Sequence, residues 1–485
     1  MYKFITVAVC AVIMTSAVSF AVEGSLPSKI SDKTKACLGC HREQNSGIYQ
    51  QWGDSRHFTA NVGCYECHRA EKGDPDVLRD DAHAEFVIAT IVSPRDCGRC
   101  HPNETDEFVN SHHSKAGRIM GSLDNLLAEV VEGNTGFKTG AFPLGISAAA
   151  SSGCWQCHGG EVKILRKTGK LDPATWPNSG IGRINPDGSE GSCAACHQRH
   201  AFSAAQARQP ENCGKCHMGP DHPQKEIYEE SKHGISYRAN REKMNLNSSK
   251  WVVGEDYSAA PTCATCHMSA TKEQPVTHNV GLRIKWNNRP EHSTLSHETD
   301  AKWKLTSAGI KSDQRRKNMQ DVCVSCHQPG FTDNFFTQYE SVIDLYEKKF
   351  AAPGEKLYNL AVDILKTDPS YAKFSEPIDF TWFELWHHEG RRARHAASMQ
   401  GPDYTHWHGT YEIARNWYVK YVPELREIIG RFRDRPAARE KAALLEKTLS
   451  RILNEPDHRW FLNKEDPAAR EQRKKSRDEF IQRYK

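Results

Sequence analysis

After its first two dozen residues the chain has no long hydrophobic run, and its mean hydropathy is −0.70. A protein that threads a bilayer repeatedly is excluded, because each span needs about 20 apolar residues. Charge of one sign is also missing. With 65 basic and 61 acidic residues the formal net charge is +4, too small for an affinity built on neutralising phosphates, so no nucleic-acid partner is expected. Hydrophobic residues make up only 38% of the 485, a thin supply for the roughly two to four domains that the length allows. What is abundant is Cys, with 17, and His, with 24. Thiols in that number serve as disulfides, metal ligands or covalent cofactor anchors, and their spacing separates these uses.

The start of the chain bears on the compartment. Lys3 supplies a positive end, Phe4 to Val18 is apolar or small, and Ser19-Phe20-Ala21 offers small residues at −3 and −1 of a cleavage point. We read residues 1–21 as a secretory signal peptide. An uncleaved anchor helix is the competing reading, but the run falls short of the about 20 residues a span requires. Cys10 lies inside the run, which argues against lipid attachment there. The mature protein is expected to begin near Val22 in the periplasm or an equivalent extracytoplasmic compartment, without a transmembrane anchor.

Every Cys other than Cys10 falls in a Cys-x-x-Cys-His pentapeptide. The eight copies are Cys37/Cys40/His41, Cys64/Cys67/His68, Cys97/Cys100/His101, Cys154/Cys157/His158, Cys193/Cys196/His197, Cys213/Cys216/His217, Cys263/Cys266/His267 and Cys323/Cys326/His327. Chance placement of these residue types would yield about 0.03 copies. The pattern has a mechanism: two thiols three residues apart add to the two vinyl groups of one porphyrin, and the adjacent His reaches the iron. Paired Cys-x-x-Cys also suits zinc, but zinc does not require a His after every second Cys, and disulfides would not select this arrangement. Eight haems c per chain are expected. They would supply much of the apolar core that the side chains do not, and their close packing implies an electron wire.

The other His residues decide which irons are coordinatively full. A second His makes a low-spin electron carrier, whereas an iron without one can bind substrate. By local context the candidate distal ligands are His57, His112, His200, His233, His278 and His395, with His83 weaker and His408 its rival. A solvated surface His is the ordinary alternative for any one of them, but sixteen spare His residues exceed what a normal domain carries. Seven filled irons and one open iron would make a catalyst; eight filled would make a conduit.

The fold class read from this pattern is mainly α: a multihaem cytochrome c with haem-wrapped loops and a C-terminal bundle of long helices. We assign 22–330 to an octahaem cytochrome domain and 331–485 to a haem-free helical domain with oligomer contacts. The intervals between motifs vary too much for a recent tandem repeat. Past His327, Phe336, Tyr339, Ile343, Tyr346 and Phe350 recur at helical steps until Pro353-Gly354. A second helix is expected from Thr381 to about Met399, and a third from near Tyr404 to about Asn454, kinked at Pro423 and Gly430. The tail after Trp460 reads as a solvated helix.

The chain resembles the octahaem hydroxylamine oxidoreductase family, which includes hydrazine-oxidising and nitrite-reducing relatives. The resemblance spans the mature chain. It rests on the eight motifs, Gly219-Pro-Asp-His-Pro before Ser231-Lys-His-Gly, the haem-free helical C-terminal region, and Gly401-Pro-Asp-Tyr-Thr-His-Trp-His-Gly. The ammonia-forming nitrite reductases differ, since their catalytic haem is anchored by a motif ending in Lys, and all eight motifs here end in His. The resemblance implies that the fourth motif holds the catalytic haem, with His158 proximal, the distal face open, and Asp221 and His222 as the polar residues above it. Proton removal from an N–H or O–H substrate needs such a base; a surface turn between Pro220 and Pro223 is the plainer alternative. It further implies a homotrimer in which a Tyr from a neighbouring subunit is bonded to the catalytic haem. Tyr404 is the first candidate and Tyr411 the second, seven residues apart and so on one helical face; packing in the bundle is the alternative. The implied activity is oxidation of hydroxylamine or hydrazine, with electrons passing through seven bis-His haems to a soluble or quinone-linked cytochrome. Reduction of nitrite to nitric oxide or ammonium, and a non-catalytic conduit, stay open.

Overall fold

The computed structural model describes residues 26, 27, 29–121, 153–288 and 296–485; the expected signal peptide lies outside these residues. The structure is 58% helical with 3% strand, and the strands described form one two-stranded antiparallel pair, Ile164–Leu165 with Lys170–Leu171. The mainly α class therefore holds. No helix among the described residues is long and apolar enough to cross a membrane.

Most of the attachment motifs sit on helices of one or two turns, whereas the first lies within the 13-residue helix Asp32–Gln44 and the eighth starts at the end of the 13-residue helix Ser312–Val324. Cys64–His68 and Cys263–His267 are five residues long. Thr262 accepts from the Thr265 amide at the start of the second, and Ser93 caps Pro94–Cys97 in the same manner, so short helices gain a defined first turn that their length would not sustain. Between them the chain encloses one continuous cavity of about 2790 Å³ reached by all eight motifs. Apolar clusters around it are small: Ile30, Leu38 and Trp52 in one, Tyr228, Met244, Trp251 and Tyr257 in another.

From Pro329 the architecture changes to long rods packed around Leu357, Ala361, Ile364, Trp417, Tyr421, Leu425 and Leu445, each fully buried. The first rod, Pro329–Tyr346, does not stop at Pro353-Gly354 as the sequence suggests. It continues through a π-helical turn, Glu347–Ala351, into Ala352–Leu365. The wider turn accommodates the proline, and Gly354 serves close packing: a Cβ there would come within 2.5 Å of Trp382, while Tyr421 donates to its carbonyl at 2.7 Å. The second rod begins at Pro377 and reaches Met399 through another π turn, Leu385–Glu389. In the third, Pro402 to Phe432 is continuous, with Pro423 in the first turn after a π segment and Gly430 inside regular helix. The break falls instead before Arg439–Leu453, where Pro436 cannot continue the hydrogen-bond ladder. The tail helix Pro467–Arg483 has no buried residue.

Candidate active site and electron path

Opposed imidazoles are the first feature of the cavity. His41 faces His83 with ring centroids 6.2 Å apart, His101 faces His57 at 6.2 Å, His217 faces His113 at 6.1 Å, His197 faces His278 at 6.4 Å and His327 faces His233 at 6.1 Å. Two imidazoles on opposite sides of one metal, each with its nitrogen about 2 Å from it, have centroids about 6 Å apart. The pairs thus fit an intervening haem iron. So does the hydrogen bonding: Nδ1 of His41 lies 2.7 Å from Asn45 Oδ1, that of His68 is 2.9 Å from the Ala89 carbonyl and that of His83 is 2.8 Å from Asp80 Oδ1. Each partner fixes the tautomer that leaves Nε2 with its lone pair toward the cavity. Burial lowers the pKa of His113 to about 3 and those of His197 and His217 to about 4, which keeps them in the neutral form that binds metal.

His200 lies beside His68, close enough to influence its charge. His113 occupies the position expected of His112. The two are neighbours in sequence, but His113 is turned into the cavity while His112 is tied to Asp300, itself held by buried Arg315 at 2.7 Å. His395 is buried against Trp286 with Nε2 2.9 Å from Asn288 Oδ1; it stands near enough to His217 to feel its charge, but no ring contact with a motif histidine is seen among the described residues. His408 points away among Asp403 and Glu412, at 3.5 Å from each. Among the described residues no imidazole ring contact is made by His68, His158 or His267, and the His222 ring also lies 6.1 Å from that of His217.

The cysteines order the motifs in space. Cys37 neighbours Cys64, Cys67 neighbours Cys97, Cys97 meets Cys193, Cys196 neighbours Cys213, Cys213 meets Cys263 and Cys266 neighbours Cys323. This is one path through motifs one, two, three, five, six, seven and eight. The fourth joins from the side, Cys157 meeting Cys216 of the sixth. Three motifs have a solvent-exposed sulfur: Cys40, Cys100 and Cys326.

A polar group gathers around the fourth motif. Asp221 Oδ1 lies 2.5 Å from His222 Nδ1, and both residues stand close enough to His158 to act on its charge. His222 Nε2 donates to the Cys216 carbonyl at 3.0 Å, so both ring nitrogens face acceptors. Burial works against charge on His222, yet Asp221 and that carbonyl raise its pKa above the ordinary value. Burial alone would raise the Asp221 carboxyl, but the bond and charge of His222, with His387 and Arg391 beyond, hold it well below the usual carboxylate range. Turn residues Pro220 and Pro223 present the pair, and helix Gln224–Glu230 follows directly.

Two members of this group stand out only faintly in the sequence. His387 Nδ1 and Arg391 Nη1 each lie 3.9 Å from Asp221 Oδ2, and Arg391 Nη1 donates to His387 Nε2 at 3.0 Å. His387 belongs to the π turn Leu385–Glu389, which turns it toward Asp221. A regular heptad pattern gives no warning of such a turn; the adjacent His387-His388 in an otherwise apolar face is the only hint.

Tyr404 and Tyr411 do not share a face. The π turn His406–Tyr411 lies between them, and one extra residue rotates the later side chain by about 100°. Tyr404 is partly buried, its amide accepted by Glu230 Oε1 at 3.2 Å and its ring 5.2 Å from that of His408. Tyr411 is 48% exposed beside Trp407, which is 54% exposed.

Comparison with known proteins follows the same lines. A family model described as "Seven times multi-haem cytochrome CxxCH" matches residues 187–352, and one described as "Cytochrome c554 and c-prime" matches residues 14–69. A probable nitrite reductase-hydroxylamine oxidoreductase fusion protein of Kuenenia stuttgartiensis is 30% identical over 336 residues, covering 61% of this chain and 34% of that protein. The chain thus spans about a third of that curated relative. Among solved structures, a hypothetical multiheme protein superposes with a TM-score of 0.69 at 26% identity, covering 83% of this chain and 97% of its own. A reducing HAO-like protein complex of Kuenenia stuttgartiensis gives a TM-score of 0.50 at 20% identity, over 86% of this chain and 87% of that one; this last likeness concerns the fold.

Proposed function

We propose that this multihaem cytochrome c belongs to the hydroxylamine oxidoreductase family and is an enzyme that oxidises hydroxylamine, or hydrazine, at the fourth of eight haems c. The observation that carries the reading is the polar group of Asp221 and His222 beside His158, whose ring no other imidazole faces among the described residues. A haem held by Cys154, Cys157 and His158 would supply a vacant iron position and the means to accept or donate electrons. The protein's own part is proton handling. Asp221 and His222 act as one proton-accepting pair: the carboxylate, held ionised by its neighbours, supports positive charge on His222, whose raised pKa makes the imidazole the resting place of a proton released from substrate nitrogen or oxygen. Haems at the first, second, third, fifth, sixth and eighth motifs would take His83, His200, His57, His278, His113 and His233, in that order, as their second histidine. With haems in place the sixth motif, which neighbours the fourth, would be the exit for its electrons, and a motif with an exposed cysteine, Cys40, Cys100 or Cys326, would meet a small cytochrome.

One observation favours the reductive reading as well: His222, with both nitrogens against acceptors, stands ready to deliver a proton to bound nitrite. Turnover assays on the holoprotein decide between these. Oxidation of hydroxylamine or hydrazine with an electron-accepting dye is the expected result; nitrite consumption only, with a reduced dye, would establish the reverse direction, and no turnover with any of them would leave a conduit. We assign the protein to an extracytoplasmic compartment as a homotrimer, with Tyr404 or Tyr411 bonded to a neighbour's fourth haem. Mass measurement under denaturing conditions should then find three chains as one covalent unit; single chains would contradict the bond and strengthen the reductive reading.

A further inference from the structure

We propose that the tail helix Pro467–Arg483 is a docking element for an anionic lipid surface, which holds the protein against a membrane without crossing it. The inference does not depend on the reading of the fourth motif.

The helix stands free of the bundle. Its start is well set, with Pro467 in the first turn and Asp466 accepting from the Ala468 amide at 3.0 Å. Yet none of its residues is buried, so no other part of the chain covers it among the described residues. A helix of this length gains little from propensity alone and is stabilised chiefly by a face packed on something else.

Its charge also departs from that of the rest of the protein. Residues 467–485 carry seven basic and three acidic side chains, a net +4, whereas the other 466 residues carry 58 of each sign. The cations are ordered. At about 100° per residue, Arg470, Arg473, Lys474 and Arg477 fall within one sector about 100° wide, and Glu471, Asp478 and Glu479 lie outside it. Beyond Arg477 this stripe turns apolar: Phe480 is 60% exposed, Ile481 43% and Tyr484 77%, and the Phe480 and Tyr484 rings meet at 4.8 Å. Arg473 pairs with Glu465, and Arg477 with Asp478 at 3.3 Å. Both arginine side chains nevertheless stay about two-thirds exposed, and exposed pairs are weak, so neither cation is withdrawn from the surface.

A row of cations leading to an exposed aromatic tip matches a layer of anionic headgroups over acyl chains. Each Lys or Arg near such a surface strengthens binding about fivefold, and aromatic rings settle at the boundary below it. An acidic protein would answer the cations but leave the tip in water; a lipid surface answers both.

The test mixes the holoprotein with vesicles of phosphatidylcholine alone or with added phosphatidylglycerol, pellets them, and reads haem absorbance in the pellet. Binding to the anionic vesicles should exceed binding to the neutral ones by at least about tenfold and weaken with salt. Removing residues 467–485 should abolish the difference, as should joint replacement of Arg470, Arg473, Lys474 and Arg477 by Gln, with haem content equal to wild type in both. Phe480→Ser with Tyr484→Ser, which keeps the charge, should lower anionic-vesicle affinity by at least about tenfold. Equal binding to the two vesicle types, anionic binding kept by the shortened chain, or an affinity indifferent to the loss of both rings would overturn the inference. Tail-dependent capture on polyglutamate beads with none on vesicles would assign the helix to an acidic protein instead and overturn it as well.

Discussion

Replacing Asp221 with Asn should slow turnover by about 10²- to 10⁴-fold, the usual contribution of a positioned acid–base group, with all haems retained. The substitution is nearly isosteric, so the turn between Pro220 and Pro223 is kept. What disappears is the negative charge that lies 2.5 Å from His222 and 3.9 Å from both His387 and Arg391. The pH profile separates this from general damage. Asp221 raises the pKa of His222 above its ordinary value against the opposing effect of burial. With Asn in place that support is lost, burial and Arg391 remain, and the His222 pKa must fall. The limb of the activity profile that reports His222 should therefore move to lower pH in Asp221→Asn. Turnover within about twofold of wild type, or an unmoved profile, would remove Asp221 from the proton path.

Removal of the fourth haem should have the largest effect of all. The double substitution Cys154→Ala with Cys157→Ala deletes both thioether positions, and activity should vanish while one haem in eight is lost. The neighbouring sites have their own anchors. The sixth motif keeps the pair of His217 and His113 at 6.1 Å, and the path from the first motif to the eighth does not run through Cys154 or Cys157. The variant should still pass electrons between added donor and acceptor dyes. Comparable losses of activity after deleting the first or the eighth motif's cysteines, with dye-to-dye transfer also lost, would point to a conduit in which no single site is special.

The eight Cys-x-x-Cys-His motifs stand out in the sequence because the covalent attachment they would serve imposes a rigid local spacing, and the mainly α class followed from the same motifs and the periodicity after Phe335. Distal ligands were harder. Five pairs are defined by rings that meet from segments as distant as residues 57 and 101 or 113 and 217, and nothing local told His113 from His112; only the grip of Asp300 and Arg315 on His112 separates them. The bundle hid more. Four π turns interrupt its rods, each shifting the phase of the helix by one residue. That shift carries the rod through Pro353, puts Tyr404 and Tyr411 on different faces and brings His387 to Asp221. A heptad pattern averages over such an insertion, which is why His395 drew attention in the second rod while His387 and Arg391 did not.

The central claim is that the iron held by His158 is open to ligand. Electron paramagnetic resonance of the fully oxidised holoprotein, before and after adding cyanide, measures this most directly. The account predicts a ferric signal distinct from those of the bis-His haems, altered by cyanide and smaller by one haem per chain in the Cys154→Ala, Cys157→Ala variant. A spectrum made up of bis-His signals alone, indifferent to cyanide and unchanged in kind by that variant, would contradict it.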